Sequence, residues 1–258
     1  MLSIVIPSHN DIYLHKTIDS ILSAAKGEIE IVPVLDGYIP DKPLRRDERI
    51  KPIHLKENVG MREAINIGVQ GSTGQYLMRT DEHCMFADWF DTEITSSMMD
   101  NEIVTAVRYF LDPVKWERID KAPVTYEKLI ILTGNYHKLH GERWRQREKE
   151  RGRPQIDETM AMQGSFWMMH RSWWEDVIGR LDSEGYGQLY QDSIEMVMKT
   201  WQAGGKLMVN KNTWFAHKDR SFNRTHNYPR SKSQASFDHG LKVWGEYYEN
   251  EVRPKWGI

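Results

Sequence analysis

The sequence predicts a single α/β domain, residues 1–258, with a mostly parallel central sheet and helices on both faces of that sheet. Strand-like and helix-like stretches alternate through the first 85 residues. This alternation is typical of parallel sheets, because parallel neighbours are joined by helical crossovers. No repeat, low-complexity tract or linker divides the 258 residues, a length that can bury a large core. With 40% hydrophobic and 28% charged residues, the composition is that of an ordinary globular protein.

The first half of the chain contains four predicted strands, each a short apolar or β-branched run. Helical spacing of apolar residues follows the first strand, from Asp11, and the third strand, from Asn58. Ligands of such sheets bind beyond the carboxyl ends of the strands, so the polar residues at those ends are the candidate site. The predicted strands are Leu2–Pro7, Glu28–Gly37, Ile50–Leu55 and Gln75–Thr80.

The second half is less regular, and residues 112–158 are predicted to be rich in loops. A helix with one apolar face is predicted from Asp192 and ends at Gly204-Gly205, since glycine commonly terminates helices. The remaining predicted elements are a helix at 88–100, strands at 102–111, 206–210 and 213–217, a strand then a helix start near Ser172, and a C-terminal helix at 233–252.

The fourth strand ends abruptly in Asp81-Glu82-His83. Residues two apart on an extended chain point the same way, so Asp81 and His83 could hold one ion. A carboxylate with an imidazole suits Mn²⁺ or a similar divalent ion. His217, at the end of a late predicted strand, could complete the site. The alternatives are a polar turn for the first pair and a histidine satisfied by the core for His217.

Charge and cysteine content limit the partners and the compartment. The formal net charge of −2 argues against a polyanion binder by bulk electrostatics, so an anionic partner needs a local basic patch. One cysteine, Cys84, excludes an internal disulfide and fits a reducing compartment. The N-terminus does not resemble a signal peptide, and no apolar run is long enough to span a membrane.

Several segments together resemble the GT-A nucleotide-sugar glycosyltransferases. They are IVIPSHND, VLDG, NVGMREAINIG, STGQYLMRTDEHC, QGSFWMMHR, QDSIEMVMKTWQAGG and FAHKDR, in that order. The chain is most similar to the catalytic domain of polypeptide N-acetylgalactosaminyltransferases, and more distantly to family-two glycosyltransferases. This resemblance implies a Rossmann-like GT-A domain that uses Mn²⁺ or Mg²⁺ to transfer a sugar from a UDP-sugar to a hydroxyl acceptor, with retention of configuration. Inversion would follow if Asp192 acted as a base.

The resemblance also implies roles for individual residues. Residues 1–85 would be the nucleotide-binding half, and residues 86–258 the acceptor-binding half with a lid at 218–233. The implied metal ligands are Asp81, His83 and His217, and the implied catalytic residues are Asp192, Gln191 and Glu195. The implied donor-binding residues are Pro7, His9, Asn10, Asp11, Asp36, Asn58, Gly60, Arg62, Thr80, Asp81, Glu82 and Gly164.

The sequence departs from the family pattern at several positions. The family's double glycine is Gln163-Gly164 here, and the arginine expected near position 65 is replaced by Ile65, with Arg62 one turn earlier. These departures leave open an inactive nucleotide-sugar-binding module, although the three intact metal-ligand candidates oppose it. The sequence shows neither a membrane anchor nor a lectin domain, so we expect a cytoplasmic protein of a bacterium or a virus-infected cell.

Two basic segments bear on the acceptor, which the sequence leaves open. Residues 142–153 are predicted to form a solvated helix with i,i+4 ion pairs, and residues 217–232 to form the lid. Together they could present a basic face to DNA carrying a hydroxymethylated base. The competing acceptors are a cell-surface glycan and a protein hydroxyl. The sugar and the oligomeric state are also left open.

Overall fold

A computed structural model describes residues 1–134, 137–222 and 230–258, with the side chains of 230–232 left aside. Its strands are β1 Leu2–Ser8, β2 Ile29–Asp36, β3 Ile53–Leu55, β4 Tyr76–Thr80, β5 Cys84–Phe86, β6 Glu102–Asp112, β7 Glu117–Arg118, β8 Glu127–Leu132, β9 Lys138–Arg143, β10 Ile156–Glu158, β11 Phe166–His170 and β12 Lys206–Lys218. Its α-helices are α1 Leu14–Ala24, α2 Met61–Gln70, α3 Phe90–Thr95, α4 Arg145–Glu148, α5 Arg171–Trp173, α6 Ser183–Tyr186, α7 Asp192–Gln202, α8 Arg230–Tyr247 and α9 Arg253–Trp256. Short π-helical turns, Trp174–Ile178 and Tyr248–Val252, follow α5 and α8.

The main sheet runs in the order β10-β12-β6-β11-β4-β1-β2-β3. Strands β4, β1, β2 and β3 are mutually parallel, as predicted for the first half of the chain. Strand β11 lies between β4 and β6 and is antiparallel to both, so the sheet is mixed. The polar residues that follow β1, β2 and β4 lie together beyond the carboxyl ends of these strands. The predicted α/β fold class is confirmed.

Apolar side chains on the two faces of the sheet are covered by different helices. Ile4 and Ile6 of β1 belong to a core cluster that includes α1 and α3. Val5, which points the other way, belongs to a cluster that includes α2, α7 and α8. A Cβ on Gly68 would lie 2.3 Å from Val5 Cγ1, so this glycine lets α2 approach β1 closely.

Three segments differ from the sequence predictions. The two late predicted strands are one strand, β12, with an irregular register between Asn210 and Trp214. Within the predicted loop region, β8 and β9 form an antiparallel hairpin. The predicted solvated helix at 142–153 is wrong. Only residues 145–148 are helical, Arg147 is buried, and Arg153 pairs with Asp157 and Glu150.

Candidate functional site

Asp81, His83 and His217 meet at the carboxyl end of β4. Asp81 and His83 lie in the turn between β4 and β5, and β5 pairs with β12 so that His217 lies opposite Cys84. His217 Nε2 is 3.0 Å from Asp81 Oδ2 and 3.1 Å from His83 Nε2, and His83 Nε2 is 3.8 Å from Asp81 Oδ2. Ligands at about 2.0–2.3 Å from one ion lie about 3–4 Å apart, so this spacing fits a shared divalent ion.

The protonation states of these side chains also suit a metal. Burial lowers the pKa of His217 to about 4, so its imidazole is neutral at pH 7 and keeps a lone pair for an ion. Burial opposes ionisation of Asp81, but Arg79 and the two histidines outweigh it and lower the pKa of this carboxyl well below its usual range. Arg79 donates to Asp81 Oδ1 over 2.6 Å, which leaves Oδ2 facing the histidines.

Asp11 holds the other side of the His83 ring. Its Oδ2 lies 3.0 Å from His83 Nδ1 and 3.3 Å from Lys218 Nζ. A carboxylate on the second imidazole nitrogen is a common way to orient a metal-binding histidine. We predicted Asp11 as a donor contact. In the structure Asp11 contacts His83, and no sequence signal paired these two residues across 72 positions.

A cavity of about 210 Å³ lies beside this cluster. Asp36, at the end of β2, accepts hydrogen bonds from Asn58 Nδ2 at 2.8 Å, Val59 N at 2.7 Å and Gly60 N at 2.9 Å. It therefore fixes the loop before α2 as well as facing the cavity. The predicted donor-binding residues that line this cavity are Pro7, His9, Asp11, Asp36, Asp81 and Glu82.

Glu82 is unusual among the cavity carboxyls. Burial, reinforced by the nearby charge of Asp11, raises the pKa of Glu82 to about 8, so this side chain is mostly protonated at neutral pH. Ser8 Oγ contacts one of its carboxyl oxygens, and the backbone N–H of His9 donates to the other over 3.1 Å. Glu82 thus ties the turn after β4 to the turn after β1.

A second cavity, of about 310 Å³, shares Asp81 with the first. Asp192 lines it at the start of α7, and its Oδ2 is buried without a hydrogen-bond partner among the described residues. A Cβ on Gly164 would lie 2.6 Å from that oxygen, so only glycine leaves it open. Gln191, also on this wall, donates to the Leu139 carbonyl over 3.1 Å. Sequence reasoning did not find the part of this wall formed by β9.

Two predicted site residues are turned away from both cavities. Arg62 is fully buried and pairs with Glu195, and its other nitrogens donate to the Asp182 and Tyr190 carbonyls over 2.9 Å. Neither side chain lines either of these two cavities, a placement that does not support the predicted donor role of Arg62 or the predicted catalytic role of Glu195.

The other predicted contacts are placed as follows. Thr80 is buried and donates to the Ser165 carbonyl over 3.2 Å, and Asn10 sits in the turn after β1 with a φ of 61°. Of the predicted lid, residues 223–229 lie outside the described residues, and with them Arg224 and Tyr228. In the segment 143–153, Arg143 pairs with Glu148 and Arg147 is buried, whereas Arg145, Lys149 and Arg151 are exposed; no residue of this segment lines either cavity.

Comparison with known proteins agrees with this architecture. The family model described as glycosyl transferase family 2 matches residues 3–178. A Caenorhabditis elegans protein named probable N-acetylgalactosaminyltransferase 6 is 25% identical over 98% of this chain and 44% of its own length. An uncharacterised glycosyltransferase of Haemophilus influenzae is 25% identical over 56% of this chain and 43% of its own.

A solved structure of GalNAc-T7 with UDP, GalNAc and Mn²⁺ superimposes with a TM-score of 0.77, at 20% identity, over 98% of this chain and 50% of that one. The chain thus spans about half the length of the relatives it matches. In the described part of the chain, no helix is both long and apolar enough to cross a membrane. Because the family model covers more than half of the chain, the resemblance drawn from the sequence motifs is confirmed: the chain belongs to glycosyl transferase family 2.

Proposed function

We propose that the chain is a divalent-metal-dependent glycosyltransferase that moves a sugar from a UDP-sugar to an acceptor hydroxyl, with retention of configuration. The observation that carries this proposal is the cluster of Asp81, His83 and His217 at the junction of two cavities. A transferase needs this arrangement, because donor and acceptor must meet at the leaving diphosphate.

Asp81, His83 and His217 would hold Mn²⁺ or Mg²⁺. Such an ion neutralises the charge of a departing diphosphate as a Lewis acid. The protein supplies the ligand geometry, since Asp11 orients His83 and Arg79 orients Asp81. GalNAc-T7, which has the same fold, binds UDP, GalNAc and Mn²⁺, and this supports the assignment of ion and donor.

The first cavity would receive the nucleotide. His9 and Asp36 line it, and His9 Nδ1 lies 3.0 Å from the Asp36 carbonyl, so the two residues form one wall. We propose that this wall contacts the nucleoside. The first cavity adjoins the second, because Met61, Arg79 and Asp81 line both of them.

The second cavity would receive the sugar and the acceptor. A buried carboxylate oxygen without a partner is costly unless a ligand supplies a donor, and a sugar or acceptor hydroxyl would do so at Asp192. Gln163 lines both cavities in place of the family's first glycine, and we propose that it limits which sugar fits. The carboxylate of Asp192 would also stabilise the positive charge that develops on the transferred sugar in the transition state.

The test is release of UDP from a panel of UDP-sugars with Mn²⁺, with and without each acceptor class. The acceptor panel holds DNA with hydroxymethylated bases, glycans and peptides with free hydroxyls. Proton NMR of the first product would report its anomeric configuration, and an inverted product would contradict retention. No UDP release in any arm, including hydrolysis by water, would contradict the transferase proposal and favour an inactive sugar-nucleotide-binding module.

A further inference from the structure

One part of the wall of the second cavity, formed by β9 and the chain beyond β12, carries positive charge. Lys138 and His140 of β9 and Arg220, two residues beyond β12, all line this cavity. The hairpin β8–β9 and the chain after His217 therefore bring two cations to one place. Lys138 and Arg220 are 82 residues apart, so no local sequence pattern predicts that they lie in the same cavity.

These cations have a defined setting. Lys138 Nζ lies 4.3 Å from the centre of the Phe237 ring, which α8 places against β9. Burial lowers the pKa of Lys138, and the charge of Arg220 lowers it further, because two like charges stand close together. Burial and then the same two cations lower the pKa of His140, which keeps this ring neutral near pH 7.

The described acidic side chains that line this cavity form no ion pair with Lys138 or Arg220. Asp81 faces the metal cluster, and Glu127 accepts from Arg108 over 2.9 Å. Asp192 lies against Gly164 with its Oδ2 unsatisfied, and no described carboxylate lies within 4.0 Å of Arg220. One cavity thus offers a hydrogen-bond acceptor at Asp192 and a pair of cations at Lys138 and Arg220.

We propose that the acceptor carries a phosphate group near the hydroxyl that receives the sugar, and that Lys138 and Arg220 bind that phosphate. An anion between two like charges relieves their repulsion, and a guanidinium with an ammonium matches phosphate oxygens. The neutral His140 would add one N–H donor. This inference rests on the proposed transferase function and narrows its acceptor to phosphate-bearing molecules.

The phosphate could come from a polynucleotide backbone or from a phosphorylated sugar. Two matched pairs of acceptors separate these sources. The first pair is a short hydroxymethylcytosine oligonucleotide and the same oligonucleotide with uncharged methylphosphonate linkages. The second pair is a hexose 6-phosphate and the free hexose. In each pair only the anionic group changes, so the ratio of kcat/KM within a pair isolates the phosphate contact.

We expect the wild-type protein to prefer the charged member of one pair by about 10- to 100-fold, the range for one or two hydrogen bonds to a charged group. Lys138→Met with Arg220→Met should abolish that preference by lowering kcat/KM for the charged acceptor to the value for its uncharged partner. Lys128→Met is the matched control, because Lys128 lies on the same hairpin and pairs with Glu142 over 3.1 Å, away from the cavity.

Equal use of charged and neutral acceptors, or transfer only to an uncharged peptide or glycan, would overturn the inference and leave the transferase function standing. A preference that persists in the double variant would overturn it too. A rise in the KM for the UDP-sugar in that variant would show instead that these cations bind the donor diphosphate. Absence of all UDP release from the wild-type protein would remove the transferase function itself, and the inference with it.

Discussion

The buried pair of Arg62 and Glu195 provides a test of whether these residues act in chemistry or in folding. Arg62 is 0% exposed, donates to the Asp182 and Tyr190 carbonyls and pairs with Glu195. Its side chain thereby ties α2 to α7 and to the segment between residues 182 and 190. We expect Arg62→Met to destabilise the protein rather than to weaken donor binding.

The loss in free energy of unfolding can be estimated from the buried Glu195 carboxylate, which Arg62→Met leaves without its guanidinium partner. Removing one partner of a buried ion pair costs about 3–5 kcal/mol, since the remaining charge stays buried. Glu195 keeps a contact of 2.8 Å with Lys199 Nζ, so we expect the lower end, about 3 kcal/mol. The control is Arg180→Met. Arg180 pairs with Glu63 but its side chain is 64% exposed, so its loss should cost less than about 1 kcal/mol.

Urea unfolding followed by tryptophan fluorescence measures both free energies of unfolding. The double variant Arg62→Met with Glu195→Met should lose less stability than the sum of the single variants, because no buried charge remains unpaired. At a temperature where Arg62→Met is folded, its KM for the UDP-sugar should match the wild-type value. Unchanged stability with a raised KM would refute this reasoning and restore the donor role predicted from the sequence.

Four further substitutions probe the site. Asp81→Asn should abolish metal-dependent UDP release and also lower the unfolding midpoint, because the buried Arg79 loses its carboxylate partner; retained activity would contradict the three-ligand site. Asp36→Ala should raise the KM for the UDP-sugar more than it lowers kcat, because the nucleoside is bound alike in ground and transition states; unchanged donor affinity would show that the nucleotide lies elsewhere. Gly164→Ala should lower kcat/KM at least about tenfold, since the new Cβ would press on Asp192 Oδ2, 2.6 Å away; wild-type kinetics would contradict a ligand at that oxygen. In EDTA, the free energy of unfolding of the wild type relative to that of Glu82→Gln should fall as pH rises from about 4.5 to about 8, because the fold favours protonated Glu82; a difference that does not change with pH would contradict this reasoning.

The sequence determined the local features of the site. Apolar runs with β-branched residues predicted β1, β2 and β4, and the polar residues after each run predicted where a ligand would bind. The spacing of Asp81 and His83 was sufficient to propose a shared ion, because side chains two apart on an extended chain point the same way. His217 could be added because a late predicted strand ends at this residue. The family resemblance that these segments carry is confirmed by the family model.

The contacts between distant segments were decided by the tertiary structure. The sequence indicates that Arg62 is a cation near the donor, but α2 directs it onto Glu195, 133 residues away, where both side chains are buried. The strand β11 reverses direction between β4 and β6, and β8 pairs with β9 inside a segment whose charges predicted loops. Strand pairing and charge pairing across such separations depend on which surfaces the core brings together, and single-segment patterns carry no information about that.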